Sequence, residues 1–242
     1  MLVRKNPLTI VGRLQRCWLF VYRAPVEAVR LVLPPPLEPL ARSGYAFWNI
    51  VVCQIHAMRP KHLPAAVGVS YWHVAYRLYV QLPLPTGEVV QGLYFVRSDC
   101  DRWLMSLLGN LLTDFRFHVA SIVVREEPDA VLLRVASKHA PAQARLVAAG
   151  VPQLAAGSPF ASAQEAAAFL AYEPHGIALT PAGHANIIHV TRDERAWRSH
   201  PLRVESAEWT FFAGQDVCLE SCYAVEPIAY QWDRGRVYRL HV

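Results

Sequence analysis

The chain has 242 residues, 53% of them hydrophobic, with 24 basic and 19 acidic residues and a net charge of +5. This length can bury a full hydrophobic core, and the arginines are scattered rather than gathered into the basic stripe of a nucleic-acid surface. No run approaches the ~18 apolar residues of a membrane span. Arg13 and Arg16 interrupt any signal-peptide core, so a soluble, cytoplasmic protein is expected.

In chain order, the aromatic and β-branched segment CWLFVYR (17–23) predicts a first strand. PVEAVRLVL (25–33) predicts a short amphipathic helix opened by a proline and stopped by the PPP that follows. Strands are predicted at 45–55, 71–80 and 89–97, the last two forming a hairpin across the Pro/Gly turn QLPLPTGE. A helix follows in which Trp103, Leu104, Leu107, Leu108 and Leu111 share one apolar face, expected to pack on the outside of the sheet. Ser98, Asp99 or Asp101 is placed to cap it; the two aspartates also read as paired acids, but their place at a helix start favours caps. Further strands are predicted at 116–125, 130–138, 185–191, 203–212 and 216–231. The Ala/Pro/Gly-rich segment 140–160 reads as a flexible loop. Ser162-Ala-Gln-Glu165 is a capping box that opens a helix to about Tyr172. No repeat or linker divides the chain, so residues 1–242 are expected to form a single domain, α+β and mostly β.

The chemistry-bearing residues are sparse. Cys17, Cys53, Cys100, Cys218 and Cys222 are odd in number and lack a CxxC pair, which predicts free thiols in a reducing compartment. On one strand Cys218 and Cys222 would lie roughly 13 Å apart, too far for a disulfide. The ten histidines show neither HxH nor HExxH spacing, so no metal site is expected, and no cofactor-binding loop or GxSxG nucleophile is present. The strand YWHVAYRLYV alternates. Trp72, Val74, Tyr76, Leu78 and Val80 form an apolar face, while Tyr71, His73, Ala75, Arg77 and Tyr79 share the other. The pattern alone fits either a face turned to water or the lumen of a barrel.

Tyr22-Arg23, the helix Ala24–Arg30 and the stop Leu31-Val-Leu-Pro34-Pro-Pro36-Leu37-Glu38 together resemble the acetoacetate decarboxylase family. The likeness continues through strand 45–52, Tyr71–His73, Gly92-Leu-Tyr94 and the helix leading to Gly109. It covers about the first half of the chain. The second half, with HVTRDERAWRSHPLRV, resembles an uncharacterised bacterial branch of the same superfamily.

The resemblance implies a single antiparallel, cone-like β-barrel with a few short helices outside and a ligand cavity within. It also implies decarboxylation through a Schiff-base lysine, the chemistry for which this family is the standard example of a lysine tuned by a cationic neighbour. The lysine pair expected eight and nine residues after Gly109 falls on Phe117 and His118, and no lysine lies between Lys61 and Lys138. The pocket glutamates fall on Asn49 and His73, and the pocket arginine on Gln15, beside Arg16.

The expected pocket therefore comprises Asn49, Tyr71, His73, Arg77, Arg97, Phe117 and His118, suited to a small carboxylate or keto-acid-like ligand and unable to form an imine. Three functions compete: a small-molecule-binding barrel, an enzyme of lyase or hydrolase type using His73 or His118 as general acid–base, and a structural protein with a filled barrel. The partner expected is a small molecule, with no nucleic acid or membrane, and with self-association into a homo-oligomer open.

Overall fold

A computed structural model describes residues 6–152, 154–170, 173–180 and 182–240. Long strands dominate the first half: β1 (Ile10–Pro25), the two-residue β2 (Glu38–Pro39) and β3 (Ala41–Arg42), β4 (Tyr45–Pro60), β5 (Val69–Pro83) and β6 (Val89–Cys100). They are followed by β7 (Phe117–Val119), β8 (Ser121–Glu126), β9 (Val131–Ala136) and β10 (Ala142–Ala148). The second half supplies β11 (His175–Leu179), β12 (His184–Arg192), β13 (Ser199–Trp209), β14 (Cys218–Val225), β15 (Ile228–Trp232) and β16 (Arg236–Arg239). Three short helices, α1 (Val26–Arg30), α2 (Trp103–Leu112) and α3 (Ala163–Phe169), complete the chain.

The pairings close a ring. β1 pairs β4, β4 pairs β5 and β5 pairs β6, all antiparallel. β6 meets β11 in a short parallel contact, and β11–β12, β12–β15 and β15–β1 return to the start. A second sheet, β8–β9–β10–β13, joins through β14 to the C-terminal half of β1. The alternation of each strand then serves two compartments. Trp72, Val74, Tyr76, Leu78 and Val80 pack with Trp18, Phe20, Trp48, Leu133, Leu146 and Trp209 between ring and second sheet. The opposite faces turn into the ring, so the odd residues of β5 face a lumen rather than water.

The predicted hairpin β5–β6 is present, turned at Leu84–Gly87 with Gly87 at φ 86°. The capping box also forms: the Glu165 amide donates to Ser162 Oγ at 3.1 Å, and Glu165 Oε2 accepts from the Ala161 amide at 2.7 Å. Its predicted end at Tyr172 lies outside the described residues. α1 stops at Arg30, three residues before the predicted end, with Pro25 just outside it. Segment 140–160 is not a loop throughout, because Ala142, Ala144 and Leu146 of β10 are buried between β9 and β13.

α2 departs furthest from expectation. Arg102 precedes it and no side chain caps it. Asp99 instead pairs with Arg97, and Asp101 Oδ1 accepts from the Trp72 amide at 2.8 Å. Its apolar face looks outward, with Trp103 68% and Leu111 60% exposed, while Ser106 and Gly109 are the buried pair. The reason is steric. Gly109 lies against the Phe117 ring so closely that a Cβ there would run into it.

Candidate functional site

The ring encloses a cavity of about 440 Å³ lined by side chains from β1, β4, β5, β6, β11, β12, β14 and β15 and by α3. This is within the usual range for a small-molecule site. Two rows of residues give it polarity. Ser221, Val21, Asn49 and Arg77 are cross-strand neighbours in sequence across β14, β1, β4 and β5. Asn49 Oδ1 accepts from the Arg77 guanidinium, and Asn49 Nδ2 donates to Tyr79 Oη at 2.8 Å. Tyr79 in turn donates to the Leu170 carbonyl at 3.2 Å, and Arg77 lies 5.7 Å from the centre of the Phe95 ring. Arg77 is thus an oriented cation on an enclosed wall.

Four residues further along the same strands, Cys17, Cys53 and His73 form the second row. Burial pushes the Cys17 thiol up to about 12 and the Cys53 thiol well up, so both stay protonated and poorly nucleophilic. His73 stacks on Phe117 with centroids 5.4 Å apart, and its Nε2 is buried with no hydrogen-bond partner among the described residues. Burial, helped by the positive charge of Arg77, lowers its pKa from 6.5 to about 3.

The sign of that shift sets a pH dependence. The unfolded chain binds the His73 proton near its ordinary pKa, and the folded chain refuses it until about pH 3. The neutral imidazole therefore contributes no penalty above pH 6.5, and stability falls as pH drops from 6.5 toward 3. The cost at pH 5 is about 2 kcal/mol. In urea titrations, His73→Phe is expected to lose that much less stability between pH 7.5 and 5 than the parent. Parallel losses in both proteins would show that His73 is not held neutral.

Asn49, His73 and Arg77 line the cavity together. Tyr71 faces inward but sits below it, buried beside Cys53 and Tyr230, with its hydroxyl 2.9 Å from Met58 Sδ. Phe117 faces inward under His73, opposite Ser98 in the β6–β7 register, whereas His118 takes the opposite, exposed face. Arg97 also leaves the site. The β5–β6 register shifts between Tyr76 and Arg77, so Phe95 pairs Arg77 while Arg97 pairs Tyr76 on the outer face. Such a bulge reverses the face of every residue beyond it. There Arg97 binds Asp99 Oδ1 and Ser137 Oγ, each at 2.9 Å. Arg16 is likewise outside, paired with Glu126 at 3.1 Å.

Other residues reach the cavity that the sequence did not single out as site residues. Glu173 beside α3 is half-buried, and burial raises its carboxyl pKa. Arg192 binds Glu194 through two nitrogens and lies 3.3 Å from the centre of the Trp197 ring. Ser221 Oγ and Tyr230 Oη are buried without partners among the described residues. Of the lysines, Lys61 and Lys138 are exposed and Lys5 lies outside the described residues, so no described lysine lines the cavity. Among the described residues no three His, Cys, Asp or Glu side chains converge to hold a metal, and no helix is long and apolar enough to cross a membrane.

A closed, mostly antiparallel ring around a polar-lined cavity is the acetoacetate decarboxylase-like fold, and solved structures match it across nearly the whole chain. An acetoacetate decarboxylase-like enzyme from Sphingomonas wittichii RW1 superposes with TM-score 0.62 at 15% identity, covering 98% of this chain and 94% of that one. Acetoacetate decarboxylase from Legionella pneumophila gives 0.63 at 12% identity, covering 97% and 89%. The enduracididine biosynthesis enzyme MppR, complexed with pyruvate, gives 0.57 at 12% identity, covering 98% and 91%. The family profile DUF2071, uncharacterized conserved protein (COG2071), matches residues 12–231, and the chain belongs to that family. Comparison with curated protein sequences gives no match.

Proposed function

We propose that the chain binds a small organic carboxylate inside the barrel and performs no Schiff-base decarboxylation. The observation that carries this is Arg77, oriented by Asn49 on an enclosed wall, in one row with the buried hydroxyl of Ser221, which has no partner among the described residues. A guanidinium held in place on the wall of an enclosed cavity takes a carboxylate by charge-assisted hydrogen bonds. The pyruvate bound by the structural neighbour MppR is a ligand of the same chemical kind. The cavity volume counts against a barrel filled with side chains.

Imine formation requires a primary amine, and the two positions resembling the family's lysine pair hold Phe117 and His118. Borohydride added with acetoacetate is accordingly expected to leave the protein mass unchanged. A reduced adduct on a lysine would overturn that part of the proposal. For binding, Arg77→Leu is expected to weaken acetoacetate by roughly tenfold to a hundredfold in calorimetry, the scale of a lost charged hydrogen bond. Undiminished affinity would refute the arginine anchor.

A second reading, an enzyme of different mechanism, rests on Glu173. A carboxyl with a raised pKa on a cavity wall suits general acid–base work, whereas His73 is held neutral and His118 lies outside. Turnover of a bound acid that Glu173→Gln removes without weakening binding would favour this reading over simple binding.

A further inference from the structure

On β1, β4 and β5 the polar groups of the cavity sit at two levels, further apart than a three- or four-carbon acid spans. The Ser221–Asn49–Arg77 row and the Cys17–Cys53–His73 row are four residues apart on each shared strand, about 13 Å along an extended chain. Midway between them β1, β4 and β5 present Leu19, Val51 and Ala75, an apolar strip with Tyr223 beside Leu19 on β14. At the second level His73 Nε2 has no partner among the described residues, and neither has the hydroxyl of Tyr230, which packs with Cys17, Cys53 and Tyr71. A buried polar atom left unmatched is costly, and a ligand atom placed there recovers that cost.

We infer that the ligand is an elongated, amphipathic carboxylate: its carboxylate at Arg77, its apolar chain across Leu19, Val51 and Ala75, and a neutral hydroxyl between His73 Nε2 and Tyr230 Oη. A hydroxyl both donates and accepts, so it satisfies an imidazole nitrogen and a phenol together, whichever imidazole nitrogen carries the proton. A second charge at the far end is disfavoured, because Cys17, Cys53, His73 and Tyr230 stay uncharged there, and the guanidinium of Arg192 beside Tyr230 is already bound by Glu194. This inference rests on the carboxylate anchor proposed above and adds the size and the second pole of the ligand.

The test is calorimetric titration of the full chain with ω-hydroxydecanoate, decanoate, decanedioate, decanol and acetoacetate. ω-Hydroxydecanoate is expected to bind best, at least roughly tenfold tighter than acetoacetate and about fivefold tighter than decanoate, the worth of one buried hydrogen bond. Decanedioate should bind worse than either ten-carbon monoacid. In Tyr230→Phe and in His73→Phe the advantage of ω-hydroxydecanoate over decanoate in the same variant should vanish. The inference is overturned if acetoacetate binds as tightly as the long acids, if the hydroxyl advantage survives both variants, or if no long acid binds. The two proposals fail differently. If Arg77→Leu weakens every acid alike and chain length has no effect, the anchor stands and the elongated ligand falls. If decanol matches decanoate and Arg77→Leu changes nothing, the anchor itself falls.

Discussion

Glu220→Ala is expected to lower the unfolding free energy by about 3–5 kcal/mol, the cost of stripping one partner from a buried ion pair. Arg23 and Glu220 are 197 residues apart in sequence, yet Arg23 Nη1 lies 2.5 Å from Glu220 Oε2. Their side chains are 7% and 1% exposed. Glu220 is the extra residue of a bulge on β14, since Val21 pairs Ser221 while Tyr22 pairs Leu219. The bulge turns its carboxylate toward Arg23, and Ser158 donates to the other oxygen. Arg23 Nη2 donates to the Ala156 carbonyl at 2.6 Å, and the guanidinium lies 5.6 Å from the centre of the Tyr45 ring. The pair thus ties the loop after β10 to the junction of β1 and β14. Alanine at 220 leaves a guanidinium buried with only a carbonyl and a ring for company. The double variant Arg23→Met, Glu220→Leu removes both charges and should recover most of the loss. Urea unfolding of parent, single and double variants measures this. A single variant as stable as the parent would mean that the pair is not buried in solution.

Arg23 also marks how far the sequence could be read. It belongs to the Tyr-Arg motif that carries the family resemblance, but its partner sits in a half of the chain without a comparably clear motif. The first-half strands were legible because aromatic and β-branched residues alternate between Pro/Gly turns, and Asn49, His73 and Arg77 came with that alternation. Arg97 was lost to a bulge, which a period of two cannot foresee. Phe117 and His118 are adjacent, so one had to face in and the other out; the register to β6 decides which, and it is a tertiary fact. β10 was hidden because AQARLVA has weak strand propensity, and its small residues matter only once β9 and β13 cover them. In α2 the apolar face was visible, but not that the Ser106–Gly109 side would be the one to meet the sheet. Glu173, Arg192, Ser221 and Tyr230 lie on elements contributed by the second half, where nothing in spacing or composition singles them out.

Gly92→Val is expected to destabilise the chain by about 3 kcal/mol, with Gly92→Ala intermediate, at the upper end of what forced overpacking costs. Gly92 is the first residue of the Gly-Leu-Tyr motif, and the seam of the barrel explains why it has no side chain. A Cβ at this position would come 2.6 Å from the His175 carbonyl oxygen and 2.9 Å from Ile177 Cδ1. The first of these is backbone and cannot swing aside. The ring closes here on a parallel contact of only two residue pairs, Gly176 with Leu93 and Ile177 with Tyr94, beside His175 Nδ1 at 3.0 Å from the Gln91 carbonyl. A valine must push β11 off β6, which exposes two strand edges and widens the cavity wall that His175 and Gly176 form. The expected signature is therefore local as well as global: a lower urea midpoint, faster amide exchange at Gly176–Ala178, and weaker binding of any carboxylate the parent takes. Exchange at those amides matching the parent, in a valine variant of equal stability, would show that the ring does not close at this seam. The same measurement separates a glycine kept for backbone freedom from one kept for close approach. Gly92 is not among the glycines of positive φ, so the strain would come from contact alone.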